Sequence, residues 1–261
     1  MYKNHIKAIE KFVTSIENNP DILAVIVAGS IAQGRAKRNS DIDLYLVLSD
    51  KEHNKRSAKK DHLFYTKEFC DYKDGYFDGK CIDYQHLIDA AKMGSEPTRS
   101  SFAGAYVAHT KIGNLKKLLK KITTYPEKER KEKLLRFKAQ LVAFNSYFIR
   151  QAEKRNDPYL LARSAAEIVL YGSRMILAHN RILYHHHKTL MEQLSKARKK
   201  PRGIKQMALD LLNSPSSKLS DRFTESILNY TKWPDGPHWV SLYLEDREWN
   251  WKSGIAPLED R

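Results

Sequence analysis

Cysteine is almost absent from this 261-residue chain, which has only Cys70 and Cys81. Neither stands in a CxxC or Cys/His spacing, so a disulfide framework and a thiolate zinc site drop out, and free, partly buried thiols are expected. Long apolar runs are missing as well. No stretch approaches the roughly 20 residues that a membrane helix needs. Met1-Tyr2-Lys3-Asn4-His5 leads straight into amphipathic sequence without an apolar signal region, so the chain reads as cytoplasmic with no membrane partner. No GxxxxGK[ST] occurs, which removes a P-loop kinase or ATPase. There is no internal repeat and no low-complexity segment. Acid is scarce relative to base: 31 Asp and Glu against 46 Lys and Arg leave a formal net charge of +15. A field of that sign favours nucleic acid, acidic surfaces or nucleoside triphosphates as partners.

What is present is the composition of an ordinary folded protein, with 41% hydrophobic and 30% charged residues. Much of the basic excess sits in Lys111–Lys121, Lys128–Lys138 and Lys196–Lys205. These runs are interleaved with Leu, Ile or Phe, the pattern of solvated basic faces on amphipathic helices; a dedicated nucleic-acid surface is the second reading.

The chain divides by periodicity. Tyr2–Glu17 has the apolar spacing of a helix, and Ile22–Val27 is a β-branched run that reads as a buried strand. Ile42–Leu48 is a second strand, and Leu63–Phe69 and Lys80–His86 are two more. Asp74-Gly75 and Asp78-Gly79 are read as turns between them. Lys51–Lys60 fits a helix or a loop, Leu87–Met93 a short helix and Ala105–Thr110 a strand. Beyond Lys111 strands disappear. Lys116–Ile122, Glu127–Asn156, Tyr159–Asn180, Thr189–Ala197, Gly203–Asn213 and Lys218–Lys232 all carry helical periodicity, punctuated by Pro126 and Asn156-Asp157-Pro158. The expectation is an α+β protein: an N-terminal α/β domain with a mixed sheet over residues 1–115, then a helical bundle over 116–261. The last 30 residues, with Trp233, Trp239, Trp249 and Trp251 among Pro and Gly, read as irregular chain packed over the domains.

The chemistry concentrates at two points. Asp41-Ile42-Asp43 opens a strand, and alternate strand residues share a face, so the two carboxylates stand together while Ile42 turns to the core. Such a pair is tolerable mainly with a cation between them, and oxygen ligands of this kind suit Mg²⁺. Upstream, the strand Ile22–Val27 ends in Ala28-Gly29-Ser30. Gly29 lets a ligand approach the backbone, and the Ser30 hydroxyl and nearby amides can hold phosphate oxygens. Arg35, Lys37 and Arg38 lie in the connection and can neutralise further phosphate charge. Neither Gly-Ser nor Asp-x-Asp means much alone: turns are rich in Asp, and Gly94-Ser95 and Gly172-Ser173 occur here without a preceding strand. Their order on two strands with a short basic connection carries the information.

That order resembles the signature of the DNA polymerase β-like nucleotidyltransferase superfamily: an apolar strand, Gly-Gly or Gly-Ser, about ten residues, then Asp-x-Asp in a strand. A small catalytic domain followed by helices is similar to the bacterial antibiotic nucleotidyltransferases of the aminoglycoside and lincosamide type. The signature spans Ile22 to Ser49. The resemblance implies a third carboxylate on an adjacent strand, for which Asp83 in Cys81-Ile82-Asp83-Tyr84 is the best positional candidate, since Asp74 and Asp78 fit turns better. It implies Asp41, Asp43 and Asp83 as ligands of Mg²⁺, two ions in all, and in-line attack on the α-phosphate of an NTP, most often ATP.

In the helical half, Glu167 lies among apolar residues, where it either lines the cleft as a general base or pairs with Arg163 or Arg174. Lys188, Arg181 and Tyr184 are candidates to lie over the nucleotide. His185-His186-His187 reads as surface, since three adjacent residues cannot all face one ion. Arg181 and His186 also have the Arg-x4-His spacing of HEPN-type ribonucleases, a short and common pattern. The implied activity is transfer of a nucleoside monophosphate, AMP foremost, to a hydroxyl of a small-molecule acceptor with release of pyrophosphate. The positive charge speaks against a polycationic acceptor. Transfer to RNA or protein, as in tRNA-type or adenylylating-antitoxin-type enzymes, is the alternative, and a non-catalytic nucleotide-binding module is the third reading. Some relatives pair their helical domains, which leaves a homodimer open.

Overall fold

The computed structural model describes residues 1–254, in two compact units that divide between Thr124 and Tyr125. The division lies beyond the expected 115/116 because α6 (Leu115–Thr123) buries Leu115, Leu119 and Ile122 in the core of the first unit.

The first unit is built on five strands, β1 (Ile22–Val27), β2 (Ile42–Leu48), β3 (Leu63–Thr66), β4 (Phe77–Ile82) and β5 (Tyr106–Thr110), in the order β3-β4-β2-β1-β5. Only β2 and β4 run parallel; every other neighbour is antiparallel, so the sheet is mixed as expected. Alternation sorts the side chains. Val25, Val27, Ile42, Leu44, Leu46 and Phe77 face one side, where Ile9 and Phe12 of α1 (Lys3–Ile16) meet them. Ala24, Ile26, Tyr45, Val47 and Ile82 face the other, covered by α4 (Tyr84–Met93), the Phe102 end of α5 (Glu96–Ser101) and α6. The one-turn α2 (Gly29–Ala32) follows β1 directly. Lys51–Lys60 resolves as the helix α3 (Asp50–Ala58), capped by the Ser49 hydroxyl, which accepts from the Glu52 amide.

One strand differs from its expected place. β4 covers Phe77–Ile82 rather than Lys80–His86. Asp78-Gly79 is strand interior, and Gly79 is there for space: a Cβ would lie 2.6 Å from Leu44 Cδ1. Asp74-Gly75 is a true turn, with Asp74 in the left-handed region at φ 62°.

The second unit is helical: α7 (Arg130–Ala143), α8 (Ile149–Arg155), α9 (Pro158–His179), α10 (Leu190–Lys196), α11 (Ile204–Asn213), α12 (Ser217–Leu228) and α13 (Trp239–Arg247). α9 runs through its core, capped by Asp157, whose carboxylate accepts from the Leu160 amide at 3.0 Å. Gly172 allows α12 to approach closely, since a Cβ would lie 2.6 Å from both Ile227 and Phe223. The end of the chain is less irregular than expected. α13 forms within it, and Arg136 of α7 binds Glu245 and Asp246 there. Trp233 is buried, while Trp249 and Trp251 are exposed.

Candidate active site

β1 and β2 are paired so that Val27 lies opposite Leu44, and the Ala28 amide continues the ladder onto the Asp43 carbonyl at 2.9 Å. The chain must then turn out of the sheet. Gly29 does so in the left-handed region, at φ 60°. The turn packs onto the Asp43 side chain so tightly that a Cβ on Gly29 would lie 1.8 Å from Asp43 Oδ2. The Ser30 backbone lies close enough to the Asp43 carboxylate to favour its charged form. The Ser30 hydroxyl is buried and has no hydrogen-bond partner among the described residues.

Asp41 precedes β2 by one residue and shares a face with Asp43. Its Oδ2 accepts from the Tyr76 hydroxyl at 3.1 Å, and the Tyr72 hydroxyl donates to the adjacent Ser40 carbonyl at 3.0 Å. The third carboxylate of this cluster is Asp78. The parallel register places it beside Asp43. Burial pushes the Asp43 carboxyl above its ordinary value, and the negative charges of Asp41 and Asp78 add to that; the Ser30 backbone and the Lys80 ammonium oppose it. Tyr76 is also shifted up, by its bond to Asp41 and by that carboxylate's charge.

Asp83 does not join them. It lies beyond the far end of β4, roughly 16 Å along the strand from Asp78. There it caps α4, accepting from the His86 amide at 2.7 Å, and pairs with His53 at 3.3 Å. The expectation for Asp83 fails because the strand starts earlier than the Asp-Gly pair implied. The sign of this in the sequence was the alternation Phe77, Gly79, Cys81 against Asp78, Lys80, Ile82. Tyr76 and Lys80 were missed with it.

Arg35, Lys37 and Arg38 are exposed in the connection from α2 to β2. The Arg35 guanidinium touches Gln33, and the Arg38 carbonyl accepts from the Asn4 side chain at 2.8 Å. Glu167 and Lys188 belong to the helical unit. Glu167 is buried between Arg163 (2.8 Å) and Arg247 (3.1 Å), an ion-paired setting, and Lys188 is exposed in the turn His187–Thr189. Arg181 grips Glu127 with two bonds of 2.7 and 2.9 Å.

Residues 10–71 match the family described as Polymerase beta, Nucleotidyltransferase. That stretch of the N-terminal unit is therefore similar to the nucleotidyltransferase domains of the DNA polymerase β-like superfamily. Among solved structures, the chain resembles a nucleotidyltransferase-like protein from Exiguobacterium sibiricum 255-15, with TM-score 0.50 and 11% identity over 94% of this chain and 78% of that one. At that identity the likeness is one of fold. No curated protein matches the chain. No helix among the described residues is long and apolar enough to cross a membrane.

The donor set of the Asp41, Asp43 and Asp78 cluster fits a hard divalent cation. Three carboxylates converge with one of them shifted toward its neutral form, which a cation would reverse. Among the described residues no three His, Cys, Asp or Glu form a ready-made metal cage, and Mg²⁺ commonly takes one or two carboxylates with the rest of its shell from phosphates and water.

Proposed function

We propose that the N-terminal unit transfers a nucleoside monophosphate, from ATP foremost, to a hydroxyl of a small molecule and releases pyrophosphate. The observation that carries this reading is the contact of the Gly29–Ser30 turn with Asp43, flanked by Asp41 and Asp78. Asp41 and Asp43 would hold Mg²⁺, with Tyr76 keeping Asp41 in place. Bound there, Mg²⁺ supplies neutralisation of the triphosphate and of the charge that develops at the α-phosphate. Gly29 keeps the phosphate approach open, and the unpartnered Ser30 hydroxyl donates to a phosphate oxygen. Arg35, Lys37 and Arg38 add charge from the exposed connection. Asp78, exposed beside Asp43, is placed to accept the proton of the attacking hydroxyl.

The net charge of +15 disfavours a polycationic acceptor such as an aminoglycoside and favours neutral, lincosamide-like or anionic ones. The test supplies purified protein with each α-labelled NTP, Mg²⁺ and panels of hydroxyl compounds, tRNA and total protein. Transfer of label to a small molecule, lost in Asp43→Asn, is expected. Absence of NTP binding, or transfer unchanged in Asp43→Asn, would sink the assignment.

A further inference from the structure

The helical unit holds a cavity of about 340 Å³ where the start of α7, the end of α9 and residues 232–235 meet. That volume lies at the small end of the roughly 300–1,000 Å³ of ligand sites. Its walls are fixed by packing. Trp233 is buried, its indole nitrogen donates to the Ile227 carbonyl at 2.9 Å, and His179 meets its ring edge-on at 5.6 Å. Tyr230 also meets the His179 ring edge-on, at 6.0 Å. The Arg130 Nε donates to the Ala178 carbonyl at 2.8 Å, which anchors the guanidinium.

What these anchors leave over is cationic. Neither Nη atom of Arg130 makes a hydrogen bond among the described residues, although that side chain is only 22% exposed. Glu127 lies 3.8 Å from Nη1, beyond bonding length, and is itself engaged by Arg181. Lys232 is exposed at the cavity without an ion pair among the described residues, and the His179 ring has no hydrogen bond there either. Burial lowers the pKa of His179, and the charges of Arg130, Lys199 and Arg181 lower it further. The acids close by are Glu127 and Asp235, and Asp235 is exposed. Partly buried cations without a counter-ion are costly, and an anion seated among them removes that cost.

We propose that this cavity binds a small phosphomonoester, its phosphoryl group held by Arg130, Lys232 and His179 and its organic part against Leu134, Trp233 and Pro234. The guanidinium fork offers parallel donors to phosphoryl oxygens, and the ammonium adds a point charge. A dianion matches two fixed cations and an imidazole that gains a proton as negative charge arrives. The volume exceeds what a bare phosphate fills, and Leu134 and Pro234 give the excess an apolar lining. All of these residues belong to the helical unit, and none serves the nucleotidyl transfer proposed above, so the two readings stand or fall separately.

Calorimetry on the full chain, without Mg²⁺ or NTP, tests this with ribose 5-phosphate, inorganic phosphate, ribose and an RNA hexanucleotide carrying a 5′-phosphate. Ribose 5-phosphate is expected to bind, inorganic phosphate to bind more weakly and ribose not to bind. Lys232→Glu should lose roughly tenfold or more in ribose 5-phosphate affinity. Its melting temperature should not change, since that side chain is exposed. The His179 ring resonances should titrate at higher pH in the bound wild type than in the free protein. Ribose 5-phosphate binding unchanged in Lys232→Glu, or a His179 titration that does not move, overturns the site. So does inorganic phosphate binding as tightly as the ester. A failure of ribose 5-phosphate to bind overturns it too, whether or not the RNA binds in its place.

Discussion

Asp43 and Asp78 are lateral neighbours in the parallel β2–β4 pair, and their charges repel across one strand spacing. The cluster that would hold a cation thus uses β4 at its first half, while Asp83 beyond its end serves α4. Asp78→Asn is expected to lower turnover at least a hundredfold with little change in melting temperature. Asp83→Ala should do the reverse: loss of the cap costs about 1 kcal/mol, a fall of roughly 2–4 °C for a chain of this size, with turnover within about threefold. Parallel rate and thermal-shift measurements separate the two. A dead Asp83→Ala beside an active Asp78→Asn would restore the other assignment.

Gly29 and Gly34 make an internal comparison, since both have positive φ but only Gly29 lacks room for a Cβ. Gly34→Ala meets nothing and should cost only its backbone strain, about 1 kcal/mol. Gly29→Ala adds a clash with the Asp43 carboxylate and should cost roughly 2–4 kcal/mol in all. It should also lose NTP binding at temperatures where it is still folded. Urea titrations of the two variants read the difference directly.

Histidines with lowered pKa values shape the acid side of stability. His5 is fully buried and its ring nitrogens face the Arg38 and Ser40 backbone without a well-formed hydrogen bond; burial, helped by the N-terminal charge, lowers its pKa. His179, in the other unit, is lowered by burial and by Arg130, Lys199 and Arg181. Below the ordinary value of 6.5 the unfolded chain binds more protons than the native one. Stability is therefore held above about pH 6.5 and lost as pH falls through the depressed native values. His86 is lowered by burial as well, so His5→Gln should reduce that fall in the first unit without abolishing it, seen as a separation of the two units' melting transitions between pH 7 and 5.

Glu167 sits between Arg163 and Arg247 with 9% of its side chain exposed. Glu167→Gln leaves two guanidinium groups undercompensated, and since both are partly exposed the cost is about 1–3 kcal/mol. Its expected signature is a lower melting temperature of the helical unit with kcat nearly intact. A normal melting temperature with kcat down a hundredfold would make it a general base instead.

The elements whose pattern was uninterrupted were legible in the sequence. β1 and β2 run over the residues that their β-branched, alternating composition marked, and the shift to helical periodicity anticipated a helical second half. Asp41 and Asp43 were legible for the same reason, because a period of two on a strand decides which side chains share a face without any knowledge of neighbours. Gly29 and Ser30 were legible as the end of that first strand.

Tertiary structure alone decided the rest. Asp78-Gly79 has the local chemistry of a turn, and only the presence of Leu44 against Gly79 explains the glycine as a packing requirement inside a strand. The third acid followed from register, a pairing between residues far apart in sequence that no local pattern encodes. The same holds for Tyr76 on Asp41, for Glu167 between its two arginines, and for the cavity beside Trp233. Periodicity is local and is written along the chain. Register, ion pairing and cavities come from which segments meet, and that is settled only when the whole unit has packed.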